Sequence, residues 1–166
     1  LFPDTTLFRS DRLHHWAQMA PDRIFMAERD GGRGWRQITY AELLTSSRHI
    51  ASALLARGLS AERPVMIRSG NSIDHALVSF GALYAGVPFC PVSPAYSLIS
   101  KDYGKLFYLI KLLTPGLVFV DDADQFAPAL TANVPGDVEI AVSRGALPDR
   151  AVTGLAELMA TPLHPR

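Results

Sequence analysis

From Ala76 to Ser100 the chain reads ALVSFGALYAGVPFCPVSPAYSLIS, twenty-five positions without a charged residue. A run this apolar must be buried or membrane-embedded. Pro88, Pro91 and Pro94 decide between the two. Each removes a backbone donor and breaks a helix, which in lipid leaves polar groups unpaired. The stretch therefore reads as the inside of a soluble α/β domain. It comprises a buried helix, a turn at Gly86, a buried strand and a Pro-rich loop ending near Tyr96.

The rest of the chain fits around that unit. Residues 1–9 read as an extended lead-in. Ser10 or Asp11 can cap a first helix whose Leu13, Trp16, Ala17 and Ala20 face inward, with Pro21 beyond its end. Ile24–Arg29 and Trp35–Thr39, joined by a glycine-rich turn, predict a β-hairpin. Thr39-Tyr40-Ala41-Glu42 is a capping box, and the helix it starts ends at Gly58. Strands follow at Val65–Arg68, Val87–Val92, Leu117–Val120 and Val138–Val142. Helices are expected between them from Ile73, from Lys101 and near Asp121, and a last short helix around Leu155–Met159. This alternation predicts an α/β fold with a largely parallel sheet flanked by helices.

A chain of 166 residues suits one domain or one large subdomain. Sixteen basic and sixteen acidic residues cancel, which argues against nucleic acid or an anionic membrane as a partner. The single Cys90 makes no internal disulfide and no cysteine zinc site, and suits the reducing cytoplasm. The chain begins at Leu1 without a signal peptide, so a trimmed piece of a longer protein is expected.

Self-contained catalytic motifs are missing. There is no GxxxxGK[ST] loop, no GxGxxG after a strand, no HExxH and no GxSxG. His14, His15 and His49 read as surface residues, and Cys90 as a buried, inert thiol. His75 beside Asp74 has the composition of a general base, and Asp121, Asp122 and Asp124 that of a helix cap or a metal site. The cap is the expectation, so no metal ligands and no catalytic residues are assigned.

Two stretches together resemble a known family. Ile38-Thr39-Tyr40-Ala41-Glu42-Leu43 is similar to the "(L/I)TYxEL" signature of adenylate-forming enzymes. Phe80 to Pro88, followed by Pro91-Val92-Ser93-Pro94, resembles that superfamily's "ALxAGxxxxPxxP" segment, with Gly58, Val65, Ile67 and Asn71 between them in the expected order. WAQMAPDRIFMAERDGGRGWRQITYAEL, GNSIDHALVSFGALYAGVPFCPVSPAYS and SKDYGKLFYLIKLLTPGLVF resemble bacterial feruloyl-CoA synthases and related aryl-CoA ligases.

The resemblance implies a reaction in two steps. A carboxylic acid attacks the α-phosphate of ATP with help from Mg²⁺, and the thiol of coenzyme A (CoA) then displaces AMP. It also implies that residues 1–166 form an incomplete N-terminal subdomain of the large AMP-binding domain. The phosphate loop with its lysine, the adenine- and metal-binding motifs and the C-terminal domain are not in this sequence. The chain alone is therefore expected to form no adenylate. The implied partners are the remainder of the parent ligase and a small aromatic carboxylic acid, with self-association through exposed subdomain surface.

Ser93, Pro94, Ala95 and Tyr96 match the loop that approaches the pantetheine channel in CoA-forming relatives. Tyr40 and Glu42 match a helix start and carry no catalytic role. Two other readings remain open. One is an autonomous α/β module binding a nucleotide or CoA near Ser69–Asn71 and Ser93–Tyr96 without turnover. The other is an enzyme that uses His75 and Asp74.

Overall fold

The capping box forms as its spacing dictates. In the computed structural model, which describes residues 5–163, the Thr39 amide donates to Glu42 Oε2 at 2.8 Å and the Glu42 amide to Thr39 Oγ1 at 3.3 Å. The helix launched there, α2 (Tyr40–Ala56), follows a first helix α1 (Thr5–Met19) and a hairpin of β1 (Ile24–Arg29) and β2 (Trp35–Thr39). α1 begins earlier than the expected Ser10 or Asp11 cap. Thr5 to Met19 contains no glycine or proline, so nothing stops the helix from running back through both residues. The extended lead-in is thereby corrected from Thr5 onward, and residues 1–4 lie outside the described residues.

Next come β3 (Val65–Ile67), α3 (Ile73–Ala85), β4 (Phe89–Pro91), α4 (Ala95–Leu98), α5 (Gly104–Leu113), β5 (Leu117–Asp122), α6 (Ala123–Asn133), β6 (Glu139–Arg144), β7 (Thr153–Gly154) and α7 (Leu155–Ala160). The strands β4-β3-β5-β6-β7 hydrogen-bond in that order into a five-stranded, wholly parallel sheet. Side chains alternate across it. Val65, Ile67, Leu117, Phe119 and Ala141 join one core with α2, α3 and α7. Met66, Val118, Val120, Ile140 and Val142 join a second core with α5 and α6.

α2 and α3 pack tightly against each other, and Gly81 makes the approach possible. A Cβ at that position would stand 2.7 Å from Cβ of Ile50, inside van der Waals distance. α3 then ends on Gly86 in the left-handed region at φ 72°.

Several expectations are corrected. β4 is shorter than Val87–Val92 and is an edge strand, not a buried one. Its Pro91 lacks the donor that further pairing needs, and Cys90 is half-exposed. The Pro-rich loop closes into α4, because Pro94 adopts helical angles and the amide of Ser97 donates to its carbonyl at 2.9 Å. α5 begins at Gly104 instead of Lys101. Tyr103 lies in the left-handed region at φ 53°, and Asp102 Oδ1 accepts from the Gly104 amide at 3.1 Å. β7, with two residues, is too short to announce itself in the sequence.

Candidate functional site

The strands leave one chemically rich edge, at their carboxyl ends. β3 is flanked by β4 on one side and β5 on the other, so the winding direction reverses at β3. In open α/β sheets the crevice beyond such a reversal is the common ligand position. Here it is bordered by the loop after β3 (Arg68 to Ser72), the loop after β4 (Val92 to Pro94) and the β5–α6 junction at Asp121–Asp122.

The loop after β3 is held by polar contacts. Ser72 caps α3, its hydroxyl accepting from the His75 amide at 3.0 Å. The His75 ring then turns back, with Nδ1 3.2 Å from the Gly70 carbonyl and 3.0 Å from Ser69 Oγ. A carbonyl can only accept, so Nδ1 is the donor in that contact. Asp74 does not orient this ring. Its carboxylate takes Arg36 Nη2 at 2.6 Å, and Arg36 Nη1 lies 3.1 Å from Glu28. The Asp74 hydrogen bond, more than the charges, holds the Arg36 guanidinium above its ordinary pKa. Glu28 Oε2 also accepts the Ile73 amide at 2.8 Å, so the hairpin clamps the start of α3. Asp74 thus belongs to an ion-pair network with Arg36 and Glu28, which removes it as the orienting partner that the open reading of a His75–Asp74 enzyme needs.

Among the four residues matched to the pantetheine loop, Ala95 and Tyr96 line a hollow of about 580 Å³ with Ile99, Asp102 and Lys105. Lys105 Nζ sits 4.7 Å over the Tyr96 ring. Ser93 is exposed and Pro94 half-buried, both outside that lining. The hydrogen bond from the Gly104 amide, then that from Ser100, keeps the Asp102 carboxyl below its ordinary pKa.

The aspartate run acts as the expected cap. Asp122 Oδ1 accepts the amides of Asp124 at 3.1 Å and Gln125 at 3.2 Å, and Oδ2 pairs with Arg144 at 3.0 Å. The Gln125 amide leads in holding the Asp122 carboxyl below its ordinary range. Among the described residues no group of three His, Cys, Asp or Glu is placed to hold a metal ion.

The sequence model of the family described as "AMP-binding enzyme" matches residues 13–160 of this chain, which takes in the hairpin, the sheet and all three edge loops. The chain belongs to the AMP-binding enzyme family.

Its relatives are much longer. The L-2-aminoadipate reductase large subunit of Eremothecium gossypii is 29% identical over 131 residues, which is 78% of this chain and 9% of that protein. A linear gramicidin synthase polypeptide of Brevibacillus parabrevis is 34% identical over 80 residues, 48% of this chain and 1% of that protein. Among solved structures, acetoacetyl-CoA synthetase from Streptomyces lividans superposes with a TM-score of 0.77 at 15% identity, covering 94% of this chain and 25% of that one. The luciferase-like enzyme of the mealworm Zophobas morio gives 0.69 at 21% identity, covering 92% and 34%. At such identities the superpositions establish the fold. This AMP-binding chain thus spans a quarter to a third of those two solved relatives.

Sequence reasoning missed three features of this family member. Arg68 is fully buried, its Nη2 donating to Asn133 Oδ1 at 2.6 Å and its Nε facing Met66 Sδ at 3.2 Å, while Nη1 has no partner. Burial pushes its pKa down to about 10. The signal was an arginine directly following an apolar strand. Asp121 Oδ1 and Ser143 Oγ are likewise buried and unpartnered. They stand side by side, between the paired positions Val120–Val142 and Asp122–Arg144. His14 and His49, expected on the surface, are half-buried. His14 Nε2 lies 3.0 Å from the Tyr84 hydroxyl, and His49 Nδ1 lies 2.7 Å from the Thr161 carbonyl.

Proposed function

We propose that this chain is the N-terminal subdomain of the large AMP-binding domain of an ATP-dependent acid–CoA ligase, acting on an aromatic acid of the ferulate type. The observation that carries the reading is the family match over residues 13–160. The three feruloyl-CoA synthase-like phrases support the aromatic acid.

In this reading a carboxylate oxygen attacks the α-phosphorus of ATP and pyrophosphate leaves. The CoA thiol then attacks the acyl carbonyl, and AMP leaves as the thioester forms. Both steps need charge stabilisation at the reacting centre and exclusion of water from the adenylate. This chain supplies scaffold to that chemistry. The clamp of Glu28, Arg36 and Asp74 fixes α3, and with it the loop after β3. Ser93, Pro94, Ala95 and Tyr96 border the path of the CoA thiol. In this reading ATP and Mg²⁺ are held by the remainder of the ligase.

The free Cys90 suits a cytoplasmic enzyme, and among the described residues no helix is long and apolar enough to cross a membrane. The test is thioester formation by the polypeptide of the whole reading frame, supplied with ATP, Mg²⁺, CoA and ferulate. Feruloyl-CoA is the expected product, and Tyr96→Ala should raise KM for CoA with KM for ATP unchanged. No thioester with any aromatic acid would sink the proposal.

A further inference from the structure

Away from the carboxyl edge, α1, the hairpin and α3 enclose an open groove of about 500 Å³. Its walls are aromatic: Trp16, Phe25, Tyr40, Phe80 and Phe89. Phe89 is the first residue of β4, which places the groove toward the opposite end of the sheet from the edge loops. The rings pack in tilted and edge-on pairs. Phe25 meets Tyr40 at 5.3 Å and 72°, and Phe80 at 5.5 Å and 89°. Trp16 leans toward Tyr40 at 6.1 Å and is 39% exposed, high for an indole that a folded protein has every reason to cover.

Ser79 adds a small hydroxyl to this wall. Ser79 lines the groove, is 8% exposed, and its hydroxyl has no hydrogen-bond partner. A buried unpaired hydroxyl costs free energy, so a sequence that keeps serine here instead of alanine calls for an explanation. Serine χ1 has staggered alternatives, and rotation would turn the hydroxyl toward the groove that its residue lines.

We infer that the groove is a binding site for a small planar aromatic molecule carrying a hydroxyl or carboxylate. The rings supply edge and face contacts, and Ser79 takes the ligand's polar group. The volume suits such a ligand, since small-molecule sites run from about 300 to 1,000 Å³ with a few polar groups on apolar walls. An apolar side chain of a partner protein fits less well, because it leaves the Ser79 hydroxyl unpaired. The inference does not depend on the ligase reading, because this groove is separate from the edge loops.

Trp16 is a built-in reporter. The chain has two tryptophans, and Trp35 stands on the hairpin under Arg29, 4.2 Å from its guanidinium carbon. In a Trp35→Phe background, phenol should perturb Trp16 fluorescence saturably, with matching heat in calorimetry. Ser79→Ala should weaken phenol binding by roughly 2–10-fold, the loss of one hydrogen bond, while benzene binding stays unchanged. Leu83→Trp should fill the groove and abolish both, with circular dichroism reporting whether that variant folds. No saturable signal at millimolar phenol, or equal phenol affinity in the Ser79→Ala protein, would overturn the inference. So would self-association that Leu83→Trp abolishes without any aromatic ligand having bound, which would assign the groove to a second copy of the chain.

Discussion

At the scale of single residues, two buried positions carry opposite kinds of stress. Gly81 is where α3 meets Ile50 of α2, and the added methyl of Gly81→Ala has no room there. The helix-propensity gain of alanine is about 1 kcal/mol, smaller than the overpacking penalty of a core contact that must open. The net expectation is a loss of about 1–2 kcal/mol, read as a lower denaturation midpoint with unchanged slope. Arg68 is the reverse case, a buried charge with no ion-pair partner among the described residues. Its folded pKa lies below the ordinary guanidinium value, at about 10, so the charged form weighs against folding. That cost is fully present below the folded pKa and fades as pH rises from there toward the unfolded value. Arg68→Met should therefore be neutral to stabilising by about 1–3 kcal/mol at pH 7, moderated by the donor that Asn133 loses. Its advantage over the wild type should shrink as pH rises through about 10. Urea titrations of both proteins across that range measure it, and a constant gap would contradict the account of Arg68.

At the scale of elements, the Thr39 cap and the hairpin clamp organise the N-terminal half. Thr39→Ala should cost about 1 kcal/mol. The backbone hydrogen bond from Thr39 lowers the folded pKa of Glu42. That stabilisation is present above the ordinary glutamate value and lost as pH falls through the folded one; Thr39→Ala keeps the amide and loses only the side-chain bond to Glu42, so only that share of its penalty should diminish in acid. Glu28→Ala removes both the Arg36 partner and the acceptor of the Ile73 amide. Hydrogen exchange should quicken at the hairpin and the first turn of α3 while β5 and β6 keep their protection; uniform acceleration would mean global destabilisation instead. These elements were legible because their signals are local: S/T-x-x-E spacing, glycines after helices, and turn residues between alternating strands. The misplaced boundaries had non-local causes. β4 was read as buried because its residues are apolar, yet a strand's place at a sheet edge is decided by its neighbours. The start of α5 turned on a left-handed Tyr103, a conformation no propensity assigns to tyrosine.

At the scale of the molecule, alternating helices and strands specified a parallel sheet, but not the order β4-β3-β5-β6-β7. Crossover connections leave strand order open in a way that hairpins do not. That order sets which loops share an edge, so the candidate site was only half visible. Ser69, His75 and the Ser93–Tyr96 loop could be named from the chain. The burial of Arg68, the orphaned Asp121 and Ser143 pair and the capture of Asp74 by Arg36 needed the third dimension. The central proposal is that this AMP-binding chain contributes scaffold to an acid-activating ligase and makes no adenylate by itself. The direct measurement is acid-dependent release of pyrophosphate from ATP and Mg²⁺ with ferulate, comparing the 166-residue chain with the product of the whole reading frame. The account predicts release by the whole protein and none above background by this chain. Rapid release by this chain alone, or no acid-dependent release by the whole protein, would contradict it.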